Sequence, residues 1–395
     1  MKKLAIIFPL MLLALCAGCS GGDSTGSTAA GLLDSCPPLA ASTSPAGSLG
    51  AIVDGLATSE MKAQGLPGMT VAIAKNGTIV YAQGYGYADL STCKPVQPTT
   101  EFQIGSVTKQ FTAAAILQLQ DAGKLSIDNT VLTYLPDYAF DPHITLRMLL
   151  NHTSGLANYT DFAPPPSWIN GVPQQTVLTA ITQAPLLFTP GSAYSYSNSN
   201  YFVLGAIIEA VSSSSYAEYM ASNIFQPNGL SHTSYLPPPT SALPYSYSLP
   251  AVPGTTGLAV GVVPDASIFF SAGTLWSNVQ DLAAWDAALL NGKVIPVALF
   301  AEMVTPPASI PVYQQAGAMS AYAMGWVRGM AFGHPVIMHN GQTFAYSAFN
   351  GAFLDNGFSL TILTNTDMQV NTSLDSFAAS LIQTICTSAA TASSC

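Results

Sequence analysis

Three short motifs carry side chains suited to nucleophilic chemistry. In chain order they are Ser106-Val107-Thr108-Lys109, Tyr196-Ser197-Asn198 and His339-Asn340-Gly341. A serine hydroxyl is a weak nucleophile until a neighbouring base takes its proton. A lysine amine can be that base if burial lowers its pKa, and a tyrosine oxygen is a second candidate. The set reads as a serine hydrolase site that runs on lysine and tyrosine, not on histidine and aspartate. Which of the two carries the proton is not decided by residue type.

Context must separate this Ser-x-x-Lys from the other two in the chain. Ser59 and Lys62 sit in an amphipathic run, Ile52 to Met61, that stops at Leu66-Pro67-Gly68, so they read as a solvated helix face. Ser91 and Lys94 flank Cys93 and precede Val96 and Pro98, a polar turn. Only Ser106 opens a long helix-forming stretch, Val107 to Ala122. Positions i and i+3 share a helix face, so the Lys109 amine can reach the Ser106 hydroxyl. Taken alone, the pair is also what a helix cap and a surface lysine would give. Tyr-x-Asn occurs once among 17 tyrosines. It follows the turn Thr189-Pro190-Gly191 and precedes an apolar helical run, Tyr201 to Val211. Its plainer reading is a packed aromatic with Asn198 as a cap. His339 lies between strand-like stretches, Val336-Ile337 and Ala348-Phe349.

At these residues the chain resembles the serine β-lactamase and penicillin-binding peptidase family, in its class C β-lactamase-like and D-Ala-D-Ala carboxypeptidase branch. The likeness runs from about Leu49 to Leu381. It includes Leu149-Leu150-Asn151-His152-Thr153-Ser154-Gly155-Leu156, the stretch from Pro190-Gly191 to Leu204-Gly205, and Ile224-Phe225-Gln226-Pro227-Asn228-Gly229-Leu230. Ser271-Ala272-Gly273-Thr274-Leu275 with Asp281-Leu282-Ala283 is similar to another segment of that family. The resemblance implies Ser106 as nucleophile, with Lys109 and Tyr196 as the proton-handling pair. It implies that Asn198 orients Lys109 and binds the substrate amide. Backbone N–H groups of Ser106 and Gln342 would form the oxyanion hole beside Gly341. His339 stands where many relatives carry the lysine of Lys-Thr-Gly, which helps bind a substrate carboxylate. No Lys-Thr-Gly or Lys-Ser-Gly occurs here, which weighs against efficient β-lactam hydrolysis.

Other hydrolase chemistry finds little support. Two Gly-x-Ser-x-Gly strings, starting at Gly18 and Gly22, fall in a low-complexity N-terminal segment and not on a strand–turn–helix elbow. The five histidines show no metal-binding spacing, so neither a metal nor a cofactor is expected. His152 reads as a structural hydrogen-bonding residue.

The elements that must position these residues predict an α/β fold. A helix near Leu49–Gln64 leads to strands Met69–Ala74 and Thr78–Gly84, joined by Asn76-Gly77. A largely helical part follows, about residues 106–297. Strands return near Met324–Arg328, Val336–His339, Ala345–Leu354 and Phe358–Thr364, and a helix at Ser373–Ile385 closes the chain. This is a β-lactamase/DD-peptidase-like mixed antiparallel sheet flanked by terminal helices, plus a largely helical domain, within residues 48–388. The motifs would meet where the two parts join. The Pro-rich stretches Ala163–Pro173 and Leu236–Pro253 read as loops bordering that cleft.

The N-terminus predicts export. Met1-Lys2-Lys3 and an apolar Leu4–Leu15 make residues 1–18 a signal peptide. Ala17-Gly18-Cys19 resembles a bacterial lipobox with Cys19 lipidated, although Cys16 stands where leucine is usual. Residues 19–47, rich in Ser, Gly, Ala and Thr, read as a flexible tether. The expected location is periplasmic or outer-surface, held to the membrane by a lipid anchor only; simple secretion is the alternative. Without residues 1–18 the chain keeps eight basic and twenty acidic residues, a net charge of −12. That excludes nucleic acid as a partner class. Charged residues are 8% of the chain against about a quarter in ordinary domains, which makes each lysine conspicuous. Four cysteines, Cys36, Cys93, Cys386 and Cys395, allow three disulfide pairings. Cys36–Cys93 would pin the tether to the first hairpin and Cys386–Cys395 would close a terminal loop.

The expected activity is an acyl-enzyme-forming hydrolase acting on a small ester or a D-amino-acid peptide or amide, including cell-wall peptide. The alternatives are a class C β-lactamase and a penicillin-binding or sensing module that acylates without turnover.

Overall fold

Strand β1 (Gly68–Lys75) shows why this sheet lies inside the molecule. Its residues from Gly68 to Ala74 are all buried, and the two faces differ in size. Met69, Val71 and Ile73 enter one core cluster, while Ala72 enters the other. Strands β8 (Ser347–Phe353) and β9 (Phe358–Thr364) repeat the pattern, with Phe349, Phe353, Leu360 and Ile362 on the bulky face. Ala348, Asn350, Ala352 and Thr361 lie on the other face of these strands by the period-two rule. The bulky face takes the terminal helices α1 (Leu49–Gln64) and α5 (Leu374–Thr387), through Val53, Ala57, Phe377, Ala378 and Leu381. The small-residue face admits α4 (Val279–Leu290), which crosses β1 and β9 closely.

The structure is a computed structural model that describes residues 36–39, 44–161, 170–238, 240–246, 258–307, 313–315, 318–367 and 374–388. The predicted signal segment and Cys19, the predicted loop tips at 163–169 and 247–253, and Cys395 lie outside these. Among the described residues nine strands form the main sheet. Besides β1, β8 and β9 they are β2 (Thr78–Asp89), β3 (Lys94–Pro95), β4 (Tyr313–Gln315), β5 (Ala318–Tyr322), β6 (Val327–Ala331) and β7 (His334–Gln342). Their order is β3-β2-β1-β9-β8-β7-β6-β5-β4, and each neighbouring pair is antiparallel. The N-terminal strand β1 pairs with the last strand β9, Met69 opposite Thr364. The helical part, inserted between β3 and β4, carries α2 (Thr108–Asp121) and α3 (Asn198–Ser212).

Most predicted elements are present, with one instructive difference. The expected strand Met324–Arg328 is the bend and return of a hairpin, β5 to β6, centred on Gly325. Gly325 has φ +75°, and a Cβ added there would fall 2.6 Å from the Lys109 carbonyl oxygen. Only glycine permits that approach, so the apolar run around it is not a straight strand.

Two features tie the parts together. Cys36 and Cys93 form a disulfide with a Cα separation of 5.5 Å, the pairing that pins the N-terminal segment to the β2–β3 turn. Cys386 is also disulfide-bonded. A buried polar network fastens α2 to the sheet. Trp285 Nε1–H and an Asn350 amide N–H both donate to Gln110 Oε1 at 3.2 Å. Asn350 also donates to Asp286 Oδ1 at 2.8 Å and accepts from the Thr361 hydroxyl. The Trp285 ring stacks on Phe111 of α2 at 4.0 Å.

Candidate active site

Gly105 makes the turn that presents the nucleophile. Its φ of +52° lets the chain pass from Ile104 into a 3-10 turn, Gly105–Val107, that runs into α2. Ser106 is therefore at the N-terminal end of a buried helix, and Lys109 is one turn on. The other two Ser-x-x-Lys pairs fall as predicted: Ser59 and Lys62 are exposed on α1, and Ser91 and Lys94 belong to the β2–β3 turn region.

Lys109 is fully buried and its amine touches three oxygens: Ser106 Oγ at 2.9 Å, Asn198 Oδ1 at 2.8 Å and the Ala272 carbonyl at 2.7 Å. Among the described residues no carboxylate bonds to it, and burial pushes its pKa well below the usual lysine range. The geometry suits both ends of a proton transfer. A neutral amine donates to Asn198 and Ala272 and turns its lone pair to the Ser106 hydroxyl. An ammonium donates to all three. Tyr196 O–H donates to the same Ser106 Oγ at 2.8 Å, and Lys109 Nζ lies 4.9 Å from the Tyr196 ring centre.

Tyr196 and Ser197 are held by the segment Asn151–Gly155. His152 sits in the left-handed region (φ +61°), uncommon for a residue with a side chain, and its ring packs 4.4 Å from that of Tyr196. His152 Nδ1 accepts from the Ser197 N–H and from the Asn200 amide. An accepting Nδ1 with a buried ring means a neutral imidazole, and burial together with Lys109 lowers its pKa well below normal. Asn198 begins α3. Its backbone N–H donates to Asn158 Oδ1 and its amide to the Thr160 hydroxyl. The predicted structural role of His152 is thus a positioning one.

Strand β7 supplies the opposite wall. Thr343 N–H bonds to the Tyr346 carbonyl, and antiparallel pairs alternate. Gln342, opposite Ser347, is then a non-bonded pair whose N–H points away from β8, toward Ser106. The approach is tight: a Cβ on Gly341 would lie 3.1 Å from the Ser106 nitrogen, and one on Gly105 would lie 2.7 Å from the Gln342 nitrogen. The backbone nitrogens of Ser106 and Gln342 thereby lie on closely facing segments, the two donors that an oxyanion hole at this serine would use. His339 lies deeper. It is buried, with its ring centre 6.2 Å from that of Tyr196. Its Nδ1 lies 2.6 Å from the Asn340 carbonyl and its Nε2 3.0 Å from the Tyr322 hydroxyl.

The predicted residues Ser106, Lys109, Tyr196, Asn198, Gly341 and Gln342 thus come together, with the buried His339 ring centre 6.2 Å from that of Tyr196. Three contributors were not singled out from the sequence: the Ala272 carbonyl, Tyr322 and the Asn158/Thr160 support of Asn198. Ala272 lay in a segment noted only for its resemblance. Among the described residues no group of three or more His, Cys, Asp or Glu is placed to hold a metal, and no helix is long and apolar enough to cross a membrane.

Residues 53–381 match the beta-lactamase family. PbpX of Bacillus subtilis (strain 168), named as a penicillin-binding protein, is 32% identical over 262 residues, covering 65% of this chain and 61% of that protein. Penicillin-binding protein 4* of the same organism is 29% identical over 312 residues, covering 75% and 68%. A D-stereospecific amidohydrolase from Streptomyces sp. superposes with a TM-score of 0.69 at 27% identity, over 81% of this chain and 95% of its own. A family match spanning most of the described residues, on a fold that solved relatives share, places the chain in the beta-lactamase family of serine hydrolases.

Proposed function

We propose that this protein is an exported hydrolase that forms an acyl-enzyme on Ser106, with esters or D-amino-acid peptides and amides as substrates. The observation that carries the reading is a wholly buried, acid-free Lys109 amine 2.9 Å from the Ser106 hydroxyl. The neutral amine takes the hydroxyl proton as Oγ bonds to the carbonyl carbon. The carbonyl electrons move to oxygen, facing the Ser106 and Gln342 N–H groups. Collapse expels the leaving group, which receives the proton through Tyr196. Water then attacks the ester on Ser106 by the same relay in reverse and frees the serine. The Streptomyces amidohydrolase supports the amide side of this substrate class. Export, and lipid anchoring at Cys19, rest on the N-terminal sequence.

A second reading is a penicillin-binding module that acylates without turnover, favoured by the penicillin-binding names of its relatives. One experiment separates them. Wild type and Ser106→Ala are mixed with a fluorescent penicillin, a p-nitrophenyl ester and a D-Ala-D-Ala peptide, and intact mass is followed. An adduct that appears on wild type only and then clears supports the hydrolase. A lasting adduct supports the module. Equal ester turnover by Ser106→Ala removes Ser106 as nucleophile.

A further inference from the structure

Two phenyl rings stand beside the turn that presents Ser106. The first belongs to Phe269, the last residue of a short helical turn, Ala266–Phe269. A Cβ added to Gly273 would lie 3.3 Å from Phe269 Cβ and 3.7 Å from the Gly105 carbonyl carbon. Only the bare face of Gly273 therefore separates Phe269 from the residue before the nucleophile. The second ring belongs to Phe344, just past the end of β7 at Gln342, whose nitrogen approaches Gly105. The two ring centres are 5.8 Å apart, a spacing at which aromatic pairs attract.

The backbone around Phe269 is set by the same contacts that hold Lys109. Phe270 has φ +42°, a conformation that persists in a residue with a side chain only where the surroundings impose it. Its ring is buried against Phe202, Tyr216 and Tyr235. The next carbonyls turn inward: that of Ser271 accepts from the Thr112 hydroxyl at 2.7 Å, and that of Ala272 from Lys109 Nζ. One strained turn thus gives Lys109 an acceptor and leaves Phe269 half-buried next to Phe344. Phe344 itself is 44% exposed. Its neighbour Ala345 meets the segment around Gly261, where an added Cβ would fall 2.7 Å from Ala345 Cβ. Val260 and Val262, either side of Gly261, are 64% and 45% exposed, so the apolar surface continues beyond the pair.

On the proposed hydrolase activity, we infer that Phe269 and Phe344 bind the acyl part of the substrate and select aromatic or bulky apolar acyl groups. Ser106 Oγ, the oxyanion and the leaving group take three directions from the tetrahedral carbon. The oxyanion faces the Ser106 and Gln342 N–H groups, and the leaving group departs toward Tyr196. The Tyr196 ring lies with Tyr322 and with His339, which is on β7 before Gln342, whereas Phe344 is beyond it. The acyl chain takes the remaining direction, toward the phenyl pair. A phenyl group placed there leaves water and gains ring contacts, while an acetyl methyl gains little.

The test compares p-nitrophenyl phenylacetate with p-nitrophenyl acetate, which share a leaving group, each kcat/KM divided by that ester's own rate with hydroxide. Wild type is expected to favour the phenylacetyl ester by about tenfold or more. Phe344→Ala, at an exposed position and checked for an intact melting curve, is expected to cut that preference by about fivefold or more. Phe344→Tyr, which keeps the ring, is expected to retain it. A second pair, p-phenylphenyl acetate and phenyl acetate, moves the extra ring to the leaving group, and its ratio is expected to be the same in wild type and Phe344→Ala. Equal corrected rates for the two acyl groups in wild type, or a preference that survives Phe344→Ala, overturn the inference while leaving the hydrolase intact. A Phe344→Ala effect confined to the second pair overturns it as well, by assigning the rings to the leaving group. If neither p-nitrophenyl ester acylates Ser106, the hydrolase reading fails and takes the inference with it.

Discussion

Lys109 is the residue on which the chemistry turns. A lysine buried among Ser106, Asn198 and the Ala272 carbonyl has its pKa lowered by desolvation, with no acid bonded to it among the described residues. On the proposed mechanism, with the neutral amine as base, kcat/KM is expected to reach its plateau well below pH 10, where a solvent-exposed lysine would still be charged. A pH–rate profile checks this, and a rise persisting to pH 10 would contradict it. Lys109→Ala is expected to slow acylation by about 10³-fold and Tyr196→Phe by about 10²-fold, within the range for general-base groups. Mass-resolved acylation rates measure both. These two side chains, with Ser106 and Asn198, were legible because their types and spacings are chemically specific. The Ala272 carbonyl was not, since every residue carries one. Tyr322 was one tyrosine among 17, and only the hairpin β5–β6 brings it to His339.

At the scale of elements, α2 is held by a network that contains its own pH response. Asp286 is fully buried, and burial raises its pKa to about 7 against about 4 when unfolded. Between those values the unfolded chain releases the proton while the folded one keeps it. Stability is therefore full below about pH 4, falls as pH rises toward 7, and is level above that. Asp286→Asn is expected to flatten that slope and to be more stable than wild type at pH 8 by a few kcal/mol. Urea melts at pH 5 and pH 8 test it; an unchanged slope in the variant would refute it. The helices and the central strands were readable from periodicity and from turns such as Asn76-Gly77. The β5–β6 bend was not, because Gly325 answers to the nearness of Lys109, a contact distant in sequence.

Across the whole molecule, the Cys36–Cys93 bond closes a loop of 57 residues between the N-terminal segment and the first hairpin. A loop of that length constrains the unfolded chain by up to about 4 kcal/mol. Cys93→Ser is expected to lower the melting temperature by several degrees while leaving Ser106 reactive, since the site is built from other elements. A calorimetric scan paired with an acylation assay reads both, and a melting temperature equal to wild type would show that the bond contributes nothing.

The pairing of β1 with β9 also bears on synthesis. Met69 waits for Thr364, and Ser106 waits for Gln342. Both separations exceed two hundred residues, so these contacts weigh heavily in the contact order that slows folding. A ribosome delivers the nucleophile and its base early and the second oxyanion donor late. A nascent or prematurely terminated chain ending before β7 thus carries Ser106, Lys109 and Tyr196 but lacks the wall that stabilises the developing charge. On the proposed mechanism, the second oxyanion donor therefore exists only once synthesis has passed β7, so activity reports that the chain has been made at least that far.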